Sequence, residues 1–446
     1  MIDWDEVARD EGDLRIYRID AESSGIPGAG TGRHVPNPLE LILDHFDTPT
    51  AILLKEEFFG AGAAVGASSF SVACHVLSLP DALVVVDSTY RTTAGQIFPA
   101  VLESIVSAEG RSLQDRPIQV IYTHAHFDHA GGHQAVEAMG SDVEIVAHPA
   151  TAELMPLVSR RESFLKTRAP FLRDCEIRAE VDELSGRIRA HYVELAEKAG
   201  VDLESAPWGS VDDGPLRIDR EIEPCGGTVE LAGGRVEVLQ FEGHIPGHLC
   251  VRVDRRHLVT GDMWLPATTS LVTPGSTATQ AEIAAERCGV VRYLESSERL
   301  LELDVDSDVA YPSHEIIYRN PKRMALRDLE IFAERLPLIE AVTRQHAEEP
   351  MRALDLAWGG RERLPIWKVE GSVMRLVVAH DEASAWVEDL VALGDLREVE
   401  PERYVATGNR ALGARIESAL ETARAHHGHL EFRSRGRRQA IQGGAT

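Results

Sequence analysis

Cysteine is scarce in this sequence: Cys74, Cys175, Cys225, Cys250 and Cys288 are scattered singly. No Cys-x-x-Cys pair occurs, and an odd count argues against a disulfide framework, so a reducing cytoplasm is the expected setting. Long apolar runs are missing too. None approaches eighteen residues, so no membrane span is expected. The opening Met-Ile-Asp-Trp-Asp-Glu is acidic and has neither the basic nor the apolar region of a signal peptide. Positive charge is in short supply, with 46 Lys and Arg against 72 Asp and Glu, a formal balance of −26. Such a field disfavours a nucleic-acid polyanion as an obligatory partner. What is present suffices for a large core: 43% of 446 residues are hydrophobic. That length is long for one domain and suggests two or more units.

The densest chemistry lies at residues 123–132, Thr-His-Ala-His-Phe-Asp-His-Ala-Gly-Gly. An apolar run leads straight into His124, His126, Asp128 and His129. Packing so many imidazoles beside a carboxylate is costly unless something binds them, and neutral imidazole with carboxylate suits zinc, manganese or iron. Side-chain alternation lets His124 and His126 point the same way at a strand end, while Asp128 and His129 in the following turn can face a second ion. Later segments repeat the pattern of a ligand-type residue where a strand stops. His244 sits in Phe-Glu-Gly-His-Ile-Pro-Gly-His after the alternating run 236–241. Asp262 sits in Val-Thr-Gly-Asp-Met, and His314 in Tyr-Pro-Ser-His-Glu.

HxHxDH, a downstream GH, then GD, then a late His is the signature that this order resembles, that of the metallo-β-lactamase superfamily of dinuclear hydrolases. Asp87, in Val-Val-Val-Asp-Ser, is similar to the family's early strand-end aspartate. The GHxPGH and GD block resembles the hydroxyacylglutathione-hydrolase-like branch more than dedicated β-lactamases. The resemblance implies a four-layer αββα sandwich with metals at one edge. It implies one ion held by His124, His126 and His244, another by Asp128, His129 and His314, and Asp262 as the bridge. Two divalent cations, zinc first with iron or manganese also compatible, lower the pKa of a shared water to give a bridging hydroxide. The same ions stabilise charge developing on a carbonyl or phosphoryl oxygen. Asp128 and Asp262 are then the candidate catalytic carboxylates. No Ser-His-Asp nucleophile is needed, and Gly-x-Ser-x-Gly is absent, which agrees. A diiron redox centre generally swaps a histidine for a carboxylate and adds a flavin domain, and neither is seen. The expected activity is hydrolysis of a small carbonyl substrate, a thioester or ester ahead of a lactone or amide. A phosphodiesterase or nuclease of the same fold is the alternative.

Segment by segment, residues 1–325 read as the catalytic domain. Residues 23–38, rich in Gly, Pro and Ser, read as a loop. Short β-branched runs at 83–86, 118–122 and 143–147 alternate with helical stretches, which suggests α/β layers. His129 and His244 stand 115 residues apart, more than small family members use. The surplus, 151–223, reads as a helical insertion with Ile177, Val181, Leu184, Ile188, Tyr192 and Leu195 at steps of three or four. Its apolar residues at 154–158 and 171–172 are candidates for a lid over the cleft; a contact between copies in a homo-oligomer is the rival. Residues 326–410 read as a helical unit with Ala383, Trp386, Val387, Leu390 and Leu393 on one helix face, stopped by Gly394. A short hairpin at 396–399 and 404–406 would make it winged-helix-like. Eight acidic residues against Arg397 in 381–402 are wrong for a major-groove helix, so packing or pocket closure is the expected role. Residues 411–446 read as a helical or disordered tail. His248 competes with His244 as a ligand, but the family pattern favours His244. His133, His148 and the cluster His426, His427 and His429 read as packing or solvated residues. Gly131 and Gly132 are expected to permit a tight turn.

Overall fold

The structure, a computed structural model, describes residues 15–19, 74–88, 102–103, 106–107, 109–139, 143–159, 216–222, 228–266, 269–272, 289–314, 318–347, 349–362, 364–367 and 373–427. The first sheet takes its strands in sequence order: β1 (Arg15–Ile19), β2 (Cys74–Ser78), β3 (Leu83–Val86), β4 (Ile118–Ile121), β5 (Val143–Ala147) and β6 (Arg220–Glu221). β1 to β3 pair antiparallel, and β3 to β6 run parallel. The second sheet is likewise sequential: β7 (Thr228–Leu231), β8 (Val236–Gln240), β9 (Leu249–Val253), β10 (His257–Gly261), β11 (Val309–Pro312) and β12 (Tyr318–Arg319). Only β10 and β11 are parallel there.

Alternation along the strands makes the layers. Val84 and Val86 point inward and meet Val236, Val238, Val251, Val253 and Val259 of the other sheet. Leu83 and Val85 point the opposite way, into a second core with Val120, Ile145 and Val136. Helices α1 (Phe127–Ala130), α2 (His133–Glu137) and α3 (Pro149–Ser159) belong to this side. On the far face of the second sheet, Leu239, Cys250 and Leu258 pack with residues of α4 (Val290–Glu302) and α5 (Lys322–Gln345). Helix, sheet, sheet, helix is the αββα sandwich.

The expected insertion divides differently. Leu154 and Met155 are buried in the core beneath α3, in the same apolar cluster as Ile245, the neighbour of His244. Arg220 and Glu221 form the sixth strand of the first sheet, so the end of that stretch is part of the sandwich. Phe171, Leu172 and the periodic residues 177–195 lie outside the described residues.

Beyond α5 the chain forms α6 (Ala353–Ala357), α7 (Val373–Ala392), β13 (Leu396–Glu400), β14 (Arg403–Ala406) and α8 (Ala411–His427). Ala383, Trp386, Val387 and Leu390 are buried as the periodicity requires. Leu393 is 38% exposed, because α7 ends at Ala392 and the stripe ends with it. Gly394 takes φ +80°, and the N–H of Asp395 returns to Leu390 O at 2.7 Å, closing the helix with a left-handed turn. One continuous apolar cluster runs from Leu239 on β8 through Phe332 and Trp386 to Ala423 on α8. The C-terminal helices therefore share a core with the sandwich. No helix among the described residues is long and apolar enough to cross a membrane.

Candidate metal centre

Five strand ends deliver the polar residues to one edge. Asp87 follows β3, His124 and His126 follow β4, His244 follows β8, Asp262 follows β10 and His314 follows β11. His129 comes from α1, one turn after His126, whose carbonyl accepts the His129 N–H at 3.0 Å. Parallel pairing of β3 with β4 and of β10 with β11 puts these ends side by side.

Two groups of potential ligand atoms result. His124, His126, His244 and Asp262 form one; His129, His314 and Asp262 form the other. His126 Nδ1 lies 2.9 Å from His124 Nε2 and 3.1 Å from His244 Nε2. Asp262 Oδ2 is 3.5 Å from His244 Nε2 and 3.3 Å from His314 Nε2, and Oδ1 is 3.3 Å from His129 Nε2. The backbone of Asp128 lies in α1, but its side chain lies outside the described residues.

Groups behind the histidines decide which nitrogen faces inward. Thr123 Oγ1 has one proton, which the Asp87 carboxylate takes at 2.8 Å. At 2.9 Å from His124 Nδ1, the same oxygen must then accept from that nitrogen. His129 Nδ1 donates to Asp87 Oδ2 at 2.9 Å, and His244 Nδ1 donates to Leu271 O at 2.6 Å. In the neutral imidazole, each of these contacts keeps the proton on Nδ1 and leaves Nε2 to face the site as a ligand atom. Ring nitrogens about 3 Å apart need a proton or a metal ion between them. Ligands at about 2.0–2.1 Å around a tetrahedral ion stand some 3.3 Å apart, close to the observed separations. Asp262 Oδ1 is buried and receives no hydrogen bond among the described residues. Donor set, spacing and orphaned oxygen all fit divalent metal.

Electrostatics agree. Burial, reinforced by neighbouring histidines, pushes His124, His126 and His248 well below the usual imidazole range, against the pull of Asp262. Burial alone would raise Asp262, yet His129 and His314 outweigh it and hold the carboxyl well below its usual range. Neutral His124 and His126 beside an ionised Asp262 are in the protonation states that bind cations.

Two glycines explain the GH and GD pairs. Gly243 has φ +122°, and a Cβ there would lie 2.5 Å from the Tyr293 backbone. Gly261 has φ +56°, and a Cβ would lie 2.6 Å from His248 Nε2. Gly132, by contrast, has φ −85° at the start of α2, a conformation any residue can take, so no special turn requires it.

His248 is absent from both ligand groups. Its Nε2 accepts the Asp262 backbone N–H at 3.2 Å, and its ring stacks on His124 at 5.0 Å. His133 hydrogen-bonds Ala130 O, and His148 Nδ1 accepts from Ala150 N; both are buried packing residues. His426 bonds to Thr422 O on α8, and His429 lies outside the described residues. Sequence reasoning missed Thr123, Leu271 and Ser313, whose hydroxyl is 3.5 Å from Asp87 Oδ2. A hydroxyl next to a ligand histidine is a weak signal that points to Thr123; a backbone carbonyl such as that of Leu271 leaves none.

A family model described as the metallo-beta-lactamase superfamily matches residues 69–314, more than half of the chain. The chain belongs to the metallo-beta-lactamase superfamily. Members of this superfamily are mostly metal-dependent hydrolases. Among solved structures, a beta-lactamase domain protein from Burkholderia ambifaria is 20% identical, with 77% of this chain and 89% of that one covered and a TM-score of 0.50. A metallo-beta-lactamase family protein from Thermus thermophilus is 22% identical over 75% of this chain and 94% of that one, with a TM-score of 0.46. Identities this low speak to the fold alone. No curated protein matches the chain.

Proposed function

We propose that this metallo-beta-lactamase superfamily member is a dinuclear metal-dependent hydrolase of small carbonyl substrates, thioesters or esters first and lactones or amides second. The observation that carries the reading is Asp262, an ionised buried carboxylate that belongs to both ligand groups. His124, His126 and His244 would hold one ion. His129, His314 and, in the full ligand set, Asp128 would hold the other, with Asp262 between them. Zinc suits a shell of imidazole and carboxylate without cysteine. When bound, such a pair supplies an ionised water near neutral pH and polarises a carbonyl oxygen.

The protein's share is orientation. Asp87 serves His129 directly and His124 through Thr123, so one carboxylate aligns a ligand from each group. Leu271 O does the same for His244. The formal charge of −26 disfavours a polyanion, which supports a small-molecule substrate over a polynucleotide. We assign the winged-helix-like C-terminal unit to packing, and the hydroxyacylglutathione-hydrolase-like branch as the nearest in chemistry.

A screen of the zinc-loaded full chain against thioesters, lactones, β-lactams and phosphodiesters, run beside Asp262→Ala, tests the reading. Turnover of a thioester or ester by the wild type, lost in the variant, is expected. Cleavage of phosphodiesters alone, or carbonyl turnover that survives in Asp262→Ala, would overturn it.

A further inference from the structure

After Asp262 the chain returns in two described stretches, 263–266 and 269–272, that lie against α4 and α5. His244 depends on the second, through Leu271 O. Next to Leu271, the buried Ser270 places its Oγ 3.2 Å from the Tyr293 hydroxyl of α4. That hydroxyl has one proton, and the fully buried Asp328 carboxylate of α5 takes it at 2.6 Å. The Tyr293 oxygen is then left to accept from Ser270 and from the Trp264 backbone N–H at 3.3 Å. Arg327 holds the other Asp328 oxygen at 2.8 Å and also donates to the carbonyls of Leu265 and Pro266. A second strap runs from Arg335 of α5, which donates to Thr269 Oγ1 at 3.3 Å and pairs with Glu382 of α7.

A buried ionic and hydroxyl network adds little to stability compared with apolar packing, because desolvation offsets its attraction. What it does provide is direction, since each bond fixes an angle as well as a distance. Here the directions lead from α5 to Tyr293, to Ser270, to the neighbouring Leu271 carbonyl and to the His244 ring. The other side of that ring's loop is held by the same helix: Glu242 N donates to Ser296 Oγ of α4 at 2.8 Å, and Gly243 seats against Tyr293.

We propose that Tyr293, anchored by Asp328, is a positioning residue for the metal centre: it fixes the 269–272 stretch and, through Leu271 O, the ring orientation and tautomer of His244. The inference rests on the reading of His244 as a metal ligand. It gives α5, which follows the matched family region, a part in shaping a site to which it contributes no ligand.

Tyr293→Phe in the full chain removes the hydroxyl and keeps the ring, leaving Asp328 paired with Arg327. Zn²⁺ affinity is read by competition with a chromogenic chelator, and the His244 Nδ1–H signal by imidazole NMR of the metal-free protein at one fixed pH. Groups that orient a metal-bound histidine typically contribute about 10–100-fold in affinity, and the indirect link here should cost roughly tenfold at one of two sites. The Nδ1–H signal should move or broaden. Ser270→Ala cuts the same path from the loop side and decides the matter if Tyr293→Phe does not fold. Asp395→Asn weakens the cap of α8, where Asp395 accepts from the N–H groups of Ala411 and Leu412 at 2.6 and 2.8 Å; it should lower stability with zinc affinity unchanged. Wild-type zinc affinity and an unmoved His244 signal in Tyr293→Phe or Ser270→Ala would refute the proposal. Equal weakening in Asp395→Asn would refute it too, by showing general loosening. If the wild type takes up no zinc, the metal reading fails first and this inference with it.

Discussion

Replacing Asp87 by asparagine removes one charge from behind the site and keeps the shape of the side chain. Asp87 sits at φ +64° and is fully buried. Its Oδ1 accepts the Thr123 N–H at 2.8 Å, and its Oδ2 accepts from His129 Nδ1 at 2.9 Å and from Thr123 Oγ1 at 2.8 Å. Every one of these partners among the described residues is a donor, so an amide cannot satisfy them all. With its NH₂ group toward His129, two donors collide and the ring must move its proton to Nε2, the atom a metal needs bare. With the amide flipped, the Thr123 N–H loses its acceptor. The loss of such an orienting group should weaken zinc binding by about 10–100-fold, or roughly 1.4–2.7 kcal/mol. Metal-free stability should fall by about 1.5–3 kcal/mol for the lost charged hydrogen bond. Asn tolerates the left-handed backbone; Ala at the same place adds about 1–2 kcal/mol of strain. Chelator-competition titration and denaturant unfolding at pH 7 give both quantities. Zinc affinity equal to wild type in Asp87→Asn, for both equivalents, would show that the carboxylate does not orient the ligands.

Further outcomes are expected elsewhere. Gly261→Ala should cost about 1–3 kcal/mol in denaturant unfolding through its positive φ alone, and should displace His248 as well; an unchanged midpoint would contradict the geometry. Trp386→Ala, which empties a fully buried ring site against Phe332, should cost about 3–5 kcal/mol with one transition retained, whereas two separate transitions would deny the shared core. Burial raises Asp389 from 3.8 to about 6, although it accepts the Val291 N–H. The unfolded chain therefore ionises first as pH rises, and the native state loses stability from about pH 4 to pH 6 and no further above. Asp389→Asn should remove that slope and be up to about 3 kcal/mol more stable than wild type at pH 7, with equal slopes in the two proteins counting against it.

Much of the site was legible because its residue types are costly without a bound cation. His124, His126, His129, His244, Asp262 and His314 each stand at a strand end or the turn after it, and the fold brings those ends to one edge. Strand alternation at 83–86 and the helix stripe through Trp386 were readable for the same reason: burial imposes a period. What escaped was either independent of residue type or set by distant partners. Leu271 acts through its carbonyl, which every residue has. Leu154 and Met155 are apolar whether they cover a cleft or fill a core, so their residue type does not tell the two roles apart. Tyr293 and Asp328 are 35 positions apart, and nothing in their spacing relates them to His244.

Metal content after loading with Zn²⁺ and removal of excess bears most directly on the central claim. Seven ligand-type residues, six of them with described side chains and with Asp262 common to two groups, exceed what one tetrahedral ion can use. Elemental analysis should give a ratio near two per chain. A reproducible ratio near one, or near zero, would contradict the dinuclear account.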